Sequence, residues 1–269
     1  MALSGYFQHF DLKHRTLAFL SQRFRGRVYT VRHGLIRGMK KKGGLGWLPA
    51  LRSQDETPET RLFQSLDLAG KVVYDVGGFE GVLSMFFSRR AACVITYEAN
   101  PSNALLIREN LALNHIENVT LRETGAGDSE EDVVLSYDPL MPGAGSADPA
   151  LRRQYQENAH NAKSFTIHVV PLDLDRDRHQ LPKPDFVKID VEGMELNVLR
   201  GLRRTIQAHK PELYLEMHGA TIEEKDRKVS EIVAFLEEEK YSSILHVESG
   251  TQIHSGNASV ARQGHLHCR

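Results

Sequence analysis

Short runs rich in β-branched and aromatic residues alternate with amphipathic helical patterns from residue 71 onward. Asn100 directly before Pro101 predicts a helix start, because Asn caps helix N-termini and Pro suits the first helical position. Alternating strands and helices are typical of a parallel sheet covered by helices, so the pattern predicts an α/β fold. The predicted strands of this sheet are residues 71–77, 92–99, 118–124, 184–190 and 210–217.

Two further alternating runs, residues 131–137 and 164–170, lie between the third and fourth predicted strands and indicate a β insertion. The connector between them, residues 138–163, is rich in Pro, Gly, Ala and Asp. Connectors of about 25 residues are unusual within a compact domain, and they commonly form a lid or remain disordered. We predict a mobile lid over a ligand site, in which Arg152 and Arg153 contact an anionic group.

The beginning of the chain differs in charge from the rest. Residues 1–54 carry eleven basic side chains and one acidic side chain, a net charge of +10, whereas the whole chain carries −1. A basic amphipathic pattern followed by KKKGGLGWLP predicts a separate helical cap or arm over residues 1–55. This arm would bind an acidic partner such as nucleic acid, a phosphorylated sugar or an anionic membrane, or it would pack on the acidic body, within one chain or across a homodimer.

The composition indicates an ordinary globular protein, since 41% of the 269 residues are apolar. No run approaches the roughly 20 apolar residues needed to cross a bilayer, and the N-terminus lacks a secretory signal pattern. Cys93 and Cys268 have no spacing that suits a disulfide framework or a metal site. We therefore expect a soluble, cytoplasmic protein whose main domain covers residues 56–269.

The first predicted strand runs into DVGGFEG, which places Gly77, Gly78 and Gly81 in a tight turn before a helix. Glycine lets a ligand approach the backbone closely, and backbone N–H groups at a helix start can bind it. Such turns occur at dinucleotide sites, at S-adenosylmethionine sites and in purely structural settings. Phe79 occupies the second glycine of the dinucleotide pattern G-x-G-x-x-G, so nicotinamide or flavin binding is disfavoured.

The second predicted strand ends in Glu98, 21 residues after Gly77. An acidic side chain at this place can accept hydrogen bonds from both hydroxyls of a ribose. A lone glutamate at a strand end is usually a solvated surface residue. Its position one strand-helix-strand unit after the glycine turn nevertheless favours ligand binding.

The fourth and fifth predicted strands bring ionisable residues to the carboxyl edge of the sheet, where open α/β folds bind ligands. Asp190, Glu192 and Glu195 follow the fourth strand, and Glu216 and His218 end the fifth. For Glu195 we accept a structural interpretation, a favourable acid in the first turn of a helix. For Asp190 and Glu192 we favour a functional role, because burying three carboxylates in one turn would be costly.

Several ordered blocks of residues 55–269 resemble the FkbM family of S-adenosylmethionine-dependent methyltransferases. These blocks are DVGGFEG, YEANPSN, GAGD and, above all, KIDVEGME followed by VLRG. The resemblance implies a Rossmann-like class I methyltransferase fold, with a mostly parallel central sheet flanked by helices and the β insertion. It also implies S-adenosyl-L-methionine as the cofactor and O-methylation of a sugar, polyketide or related metabolite.

The resemblance also implies the cofactor contacts: the glycine turn at the methionine part, Glu98 at the ribose, and Thr124 and Gly125 at the adenine. Three residues depart from the family pattern, since Gly78 replaces Ala, Phe79 replaces Asn or His, and Ala99 replaces Pro. The expected cofactor-binding residues are Asp75, Gly77, Gly78, Phe79, Gly81, Glu98, Ala99, Thr124, Gly125 and Asp190.

A hydroxyl acceptor is a poor nucleophile until a base accepts its proton. We expect His218, Glu192 and Asp190 to be the catalytic residues, with His218 as the first candidate for the base and Asp190 nearest the cofactor. The expected partner is a hydroxyl of a small molecule or glycan.

Two alternatives stay open. In the first, Asp190, Glu192 and His218 hold Mg²⁺ or Mn²⁺, which orients the acceptor oxygens, although we expect no metal. In the second, the fold is a binding module without turnover, recruited through the basic arm. The chain lacks the aromatic and basic clusters of a base-flipping site, so no specific nucleic acid is expected.

Overall fold

The computed structural model describes residue 20, residues 23–24 and 26–44, and residues 56–137, 145–158 and 163–269. The strands are β1 (Val28–Thr30), β2 (Lys40–Lys42), β3 (Val72–Val76), β4 (Cys93–Tyr97), β5 (Val119–Arg122), β6 (Gly125–Gly127), β7 (Glu131–Tyr137), β8 (Lys163–Pro171), β9 (Phe186–Ile189), β10 (Glu212–Glu216), β11 (Ile244–His246), β12 (Thr251–Gln252) and β13 (His265–Cys268). The α-helices are α1 (Pro58–Ser65), α2 (Val82–Ser88), α3 (Pro101–Leu113), α4 (Pro149–Asn158), α5 (Leu172–His179), α6 (Glu195–Gly201), α7 (Arg203–His209) and α8 (Ile222–Glu238).

An eight-stranded sheet in the order β12-β11-β13-β10-β9-β3-β4-β5 forms the centre of the structure. Strands β3, β4, β5, β9 and β10 run parallel, and β13 is antiparallel to β10. The chain builds outward from β3 through β4 and β5, and then returns to the other side of β3 as β9. This reversal opens a crevice at the carboxyl ends of β3 and β9, the usual ligand position in open α/β sheets.

Helices cover both faces of the sheet, because most central strand positions are apolar on both sides. On one face, Phe63 of α1 and Phe87 of α2 pack over Phe186 and Tyr214. On the other face, the apolar stripes of α6, α7 and α8 cover the same strands. The mostly parallel, helix-flanked α/β fold is confirmed.

The five strands predicted for the sheet correspond to β3, β4, β5, β9 and β10, each within a few residues of the predicted bounds. Helix α3 begins as predicted, with the Oδ1 atom of Asn100 accepting a hydrogen bond from the N–H of Ser102 at 2.9 Å and with Pro101 in the first turn. These local signals agree with the tertiary structure because periodicity and capping both reflect which face is buried.

The predicted β insertion is a second sheet in the order β6-β8-β7. Within the connector, residues 149–158 form α4 rather than an irregular segment, and Leu151 is fully buried. Residues 138–144 and 159–162 lie outside the described residues, and so the mobility of the lid stays a prediction.

The prediction of a helical arm over residues 1–55 is wrong for residues 26–44, which contain the antiparallel hairpin β1–β2. Two glycines with positive φ, Gly34 (77°) and Gly38 (86°), allow the chain to reverse there. Most of the apolar positions that suggested a helix, residues 7–24, lie outside the described residues. The structure also adds β11, β12 and β13, which the sequence patterns did not reveal. In the described part of the chain, no helix has the length and apolar character required to cross a membrane.

Candidate active site

A cavity lies at the carboxyl ends of β3, β4 and β9 and extends beneath the insertion sheet. It holds about 950 Å³ of space, counting the part that is open to solvent. Both apolar side chains and a few polar groups line it, as is typical of small-molecule sites. The predicted site residues that line it are Gly77, Phe79, Glu98, Ala99, Thr124, Gly125, Asp190 and Glu192.

Gly77 is required by the close approach of two strand ends. Its φ is +84°, and a Cβ atom added there would lie 1.8 Å from the backbone oxygen of Asp190. The N–H groups of Gly77 and Gly78 both donate to the carbonyl oxygen of Tyr97 at 3.0 Å. The turn therefore bends tightly across the end of β4 and leaves its open side to the cavity.

Glu98 ties the glycine turn to the start of α3. Its Oε2 atom accepts a hydrogen bond from the N–H of Phe79 at 2.7 Å, and its Oε1 atom accepts one from the N–H of Asn100 at 2.8 Å. The amide of Asn103 donates a longer bond to Oε1 at 3.4 Å. Burial raises the pKa of Glu98 to about 7, although the hydrogen bonds from Asn100 and Phe79 oppose this shift.

Three predicted cofactor residues lie behind the cavity wall instead of lining it. Asp75 is fully buried and accepts a hydrogen bond from Ser84 at 2.6 Å. A Cβ atom on Gly78 would lie 2.4 Å from Thr96, and Gly81 is the N-cap of α2 with a φ of +81°. These three positions shape the turn and are not among the residues that line the cavity, and their contact with the cofactor stays a prediction.

Lys188, which the sequence patterns did not single out, supports the same turn from below. Its ammonium group donates to the carbonyl oxygen of Gly77 at 2.6 Å and lies 3.4 Å from Asp75 and 3.5 Å from Asp190. Burial disfavours its charge, but Asp190 and Asp75 outweigh this and raise the pKa of Lys188. The buried cation therefore joins β3 and β9 at the point where both reach the cavity.

Four carboxylates surround His218, which is not among the residues that line the cavity, although Asp190 and Glu192 beside it do line it. The Nδ1 atom of His218 lies 2.9 Å from Glu195. Its Nε2 atom lies 3.5 Å from Glu192, 3.5 Å from Glu216 and 3.8 Å from Asp190. Asp190, Glu192 and His218 therefore lie close together, while their catalytic role stays a prediction, and Glu195 belongs to the cluster in addition to opening α6.

The cluster retains protons near neutral pH. Burial opposes the charged imidazole, but Glu192, Glu195 and Glu216 outweigh it and raise the pKa of His218 well above 6.5. Burial raises the pKa of Glu192 to about 8, against the opposing effect of His218. A protonated imidazole has no lone pair to accept a hydroxyl proton. At neutral pH the raised pKa favours a role for His218 in holding and orienting carboxylates, and its role as the base stays a prediction.

Glu216 extends the cluster to a second imidazole. Its Oε2 atom lies 3.7 Å from His265, which also pairs with Glu248 and stacks on Tyr214. Burial opposes ionisation, but the two imidazoles together lower the pKa of Glu216. Burial also opposes the charge on His265, while Glu216 and Glu248 raise the pKa of His265 to about 10.

Two side chains hold the turn that carries Glu192. The hydroxyl of Ser146 donates to the carbonyl oxygen of Glu192, and Lys228 donates to that of Gly193 at 2.9 Å. Lys228 also pairs with Asp148 at 2.8 Å. Residues 145–148 of the connector are therefore anchored to this turn, and Gly145 lines the same cavity as Glu98.

The hydrogen-bonding groups and the possible metal ligands of the site indicate which cofactor or ion it could hold. The close approach at Gly77, the free acceptor positions of Glu98 and the mixed cavity wall fit S-adenosylmethionine, which has polar ends and a ribose. Ligand atoms of Asp190, Glu192 and His218 lie within 4.8 Å of one another, a set that a divalent cation could also use.

Comparison with known proteins gives consistent matches. The model of the Methyltransferase FkbM domain matches residues 74–243. Methyltransferase 1 of Beauveria bassiana is 24% identical over an alignment of 143 positions that covers 48% of this chain and 57% of that protein. Hexuronic acid methyltransferase AglP of Haloferax volcanii is 28% identical over 137 residues, which are 51% of this chain and 52% of that protein. The chain thus spans between half and three-fifths of the length of these relatives.

Among solved structures, Methyltransferase FkbM from Methylobacillus flagellatus resembles the chain with a TM-score of 0.51 and 19% identity. The match covers 79% of this chain and 50% of that one. At this identity the likeness concerns the fold alone.

Proposed function

The chain belongs to the FkbM methyltransferase family, and we propose that it transfers the methyl group of S-adenosylmethionine to a hydroxyl of a sugar or secondary metabolite. The observation that carries this proposal is Glu98, a buried carboxylate that lines the cavity and binds both the glycine turn and the start of α3. Its location after the second strand of the sheet suits recognition of a ribose.

The cofactor would supply an already activated methyl group, so the chain mainly needs to place the acceptor in line and exclude water. Gly77, Phe79 and Glu98 would bind the cofactor along one wall. Thr124 and Gly125, where the chain passes from β5 into β6, would border the adenine. Asp190 would lie between the cofactor and the acceptor, since it lines the cavity and contacts both Lys188 and His218.

Glu192 in its ionised form, which is the minor form at neutral pH and the major form above about pH 8, is the group best placed to accept the hydroxyl proton. It lines the cavity, and its pKa of about 8 is closer to the pKa of a hydroxyl group than the pKa of an ordinary glutamate is. His218, charged at neutral pH, would hold Glu192 and Asp190 in place. The anchored connector, residues 145–148, would position the predicted lid over the acceptor.

A relative that methylates a hexuronic acid supports a sugar as the acceptor class. The carboxylate-rich cluster supports hydroxyl recognition, because carboxylates accept hydrogen bonds from sugar hydroxyls.

Calorimetric titration with S-adenosylmethionine, followed by transfer of a labelled methyl group to a panel of sugars and polyols, tests the proposal. We expect cofactor binding in the absence of any acceptor and label transfer to at least one hydroxyl compound. Absence of cofactor binding by the folded chain would refute the function itself. Binding without transfer to any acceptor would favour the binding-module alternative.

A metal-assisted reaction is the second candidate, because Asp190, Glu192 and His218 bring their ligand atoms within 4.8 Å. Titration of the chain with Mg²⁺ and Mn²⁺, with and without S-adenosylmethionine, distinguishes the two mechanisms. Binding of either ion that is lost in the Glu192→Gln variant would favour the metal-assisted route.

A further inference from the structure

The basic hairpin β1–β2 contacts the glycine turn directly. Lys41, in the middle of β2, is 6% exposed and forms an ion pair with Glu80, which is 8% exposed. The ammonium group of Lys41 also donates to the carbonyl oxygen of Gly43 at 3.1 Å. Glu80 lies within the glycine turn, between Phe79 and Gly81, so a positive charge from the basic arm is buried against this turn.

A second set of hydrogen bonds fixes the same region through α3. The N–H of Lys42 donates to the side-chain oxygen of Asn110 at 2.7 Å, and the amide of Asn110 donates to the carbonyl oxygen of Glu80 at 3.0 Å. Asn110 is fully buried. The hairpin, α3 and the backbone of the turn therefore meet at one side chain.

The backbone conformation of Phe79 depends on these contacts. Its φ of 49° is in the left-handed region, which is unfavourable for a residue other than glycine. Such a conformation persists only where its surroundings hold it. On one side the N–H of Phe79 donates to Glu98, and on the other side Glu80 is held by Lys41 and Asn110.

We propose that Lys41 is a positioning residue for cofactor binding: by holding Glu80 it keeps Phe79 and the glycine turn in the conformation that binds S-adenosylmethionine. The ligand in this inference rests on the proposed function. The hairpin β1–β2 of the basic arm would thus support the cofactor site of its own chain. This role explains why one of three consecutive lysines is buried while its neighbours remain accessible.

The neighbouring Lys42 provides a matched control. It lies on the same strand and pairs with Glu109 on the outer surface of α3, where both side chains are about one-third exposed. Its ion pair makes no contact with the glycine turn. Lys41→Met and Lys42→Met each remove one ammonium group from β2 while keeping most of the apolar stem.

The test is calorimetric titration of the full chain with S-adenosylhomocysteine, well below the unfolding temperature of each variant. We expect Lys41→Met to weaken binding by about 10-fold or more, as for loss of a charge-assisted contact. The Kd of Lys42→Met should remain within about 3-fold of that of the parent. Lys41→Arg should keep most of the parent's affinity because it keeps the positive charge, whereas a general loss of packing would weaken binding whether or not the charge is kept.

If Lys41→Met fails to fold because Glu80 is left buried without a partner, the Lys41→Met/Glu80→Met double variant removes both charges. We expect this variant to fold and still to bind more weakly by about 10-fold. Parent-like affinity in either folded variant, or an equal loss in Lys42→Met, would overturn the inference. A parent chain that binds no S-adenosylhomocysteine would instead refute the proposed function.

Discussion

Replacement of Glu98 by Ala removes the carboxylate that we propose binds the ribose of the cofactor. A carboxylate offers about four acceptor positions, and three are used: by Phe79 and Asn100 at short distances and by Asn103 at 3.4 Å. One position on Oε2 stays open, and the long bond from Asn103 leaves a second one weakly occupied. Two ribose hydroxyls could therefore bind without displacing either backbone donor.

Loss of these charge-assisted hydrogen bonds should weaken S-adenosylmethionine binding by roughly 1 to 3 kcal/mol, which is about 5- to 150-fold in Kd. Calorimetry measures this loss directly. Glu123→Ala is the matched control, since Glu123 follows the neighbouring strand β5 but pairs with Arg108 at the surface. Unchanged affinity in folded Glu98→Ala, or an equal loss in Glu123→Ala, would refute the assignment.

The pH dependence of binding gives a second test of the same contact. Burial raises the pKa of Glu98 to about 7, so the carboxylate is protonated at lower pH and then has less acceptor capacity. Cofactor affinity of the parent should therefore rise between about pH 6 and pH 8. Glu98→Gln, which does not titrate, should bind more weakly and show no such rise.

Further predictions concern the cluster, the lid and stability. Glu192→Gln should lower turnover by about 10²- to 10⁴-fold with little change in the Kd of the cofactor. The turnover of the parent should increase with pH toward about 8 as Glu192 loses its proton. Equal turnover of the variant and the parent would exclude Glu192 as the base. Hydrogen exchange in residues 145–158 should slow when cofactor and acceptor are both bound, and exchange that is equally slow without ligands would contradict a mobile lid. His265 has a pKa raised from 6.5 to about 10, so its stabilising contribution is complete below pH 6.5 and is lost as the pH rises toward 10. Denaturant unfolding of His265→Asn should accordingly show the largest deficit below pH 6.5, and a deficit that is independent of pH would refute the electrostatic cause.

Strand positions and much of the site could be predicted from the sequence because both depend on local patterns. The glycine turn, Glu98 and the acidic block at 190–192 all follow apolar strands, and parallel strands bring their carboxyl ends to one edge. The N-cap signal of Asn100 likewise needed no tertiary information. These features are short in sequence, and the sheet topology brings them together.

The remaining features depend on contacts between distant segments. Lys41 pairs with Glu80, 39 residues away, and Lys42 bonds to Asn110, 68 residues away. Lys188 lies within an apolar strand, where nothing in the local pattern indicates that its amine reaches Gly77, 111 residues earlier. The raised pKa of His218 also depends on Glu192, Glu195 and Glu216, which come from the ends of two strands, so local sequence patterns do not reveal it.

The strained backbone of two residues at the cavity bears on whether the chain catalyses a reaction or only binds a ligand. Six non-glycine residues among those described have positive φ, and four of them follow helix ends, where a left-handed residue is a common cap. The other two, Phe79 and Glu192, lie in turns after β3 and β9, and both line the cavity. Each costs on the order of 1 to 3 kcal/mol, a cost that glycine would avoid. We infer that a side chain is useful at both positions, and Glu192 lies beside His218, on the side that we propose for the acceptor. A module that only held the cofactor would need Phe79 but not a strained carboxylate at Glu192, so the pair of strained turns favours turnover over binding alone.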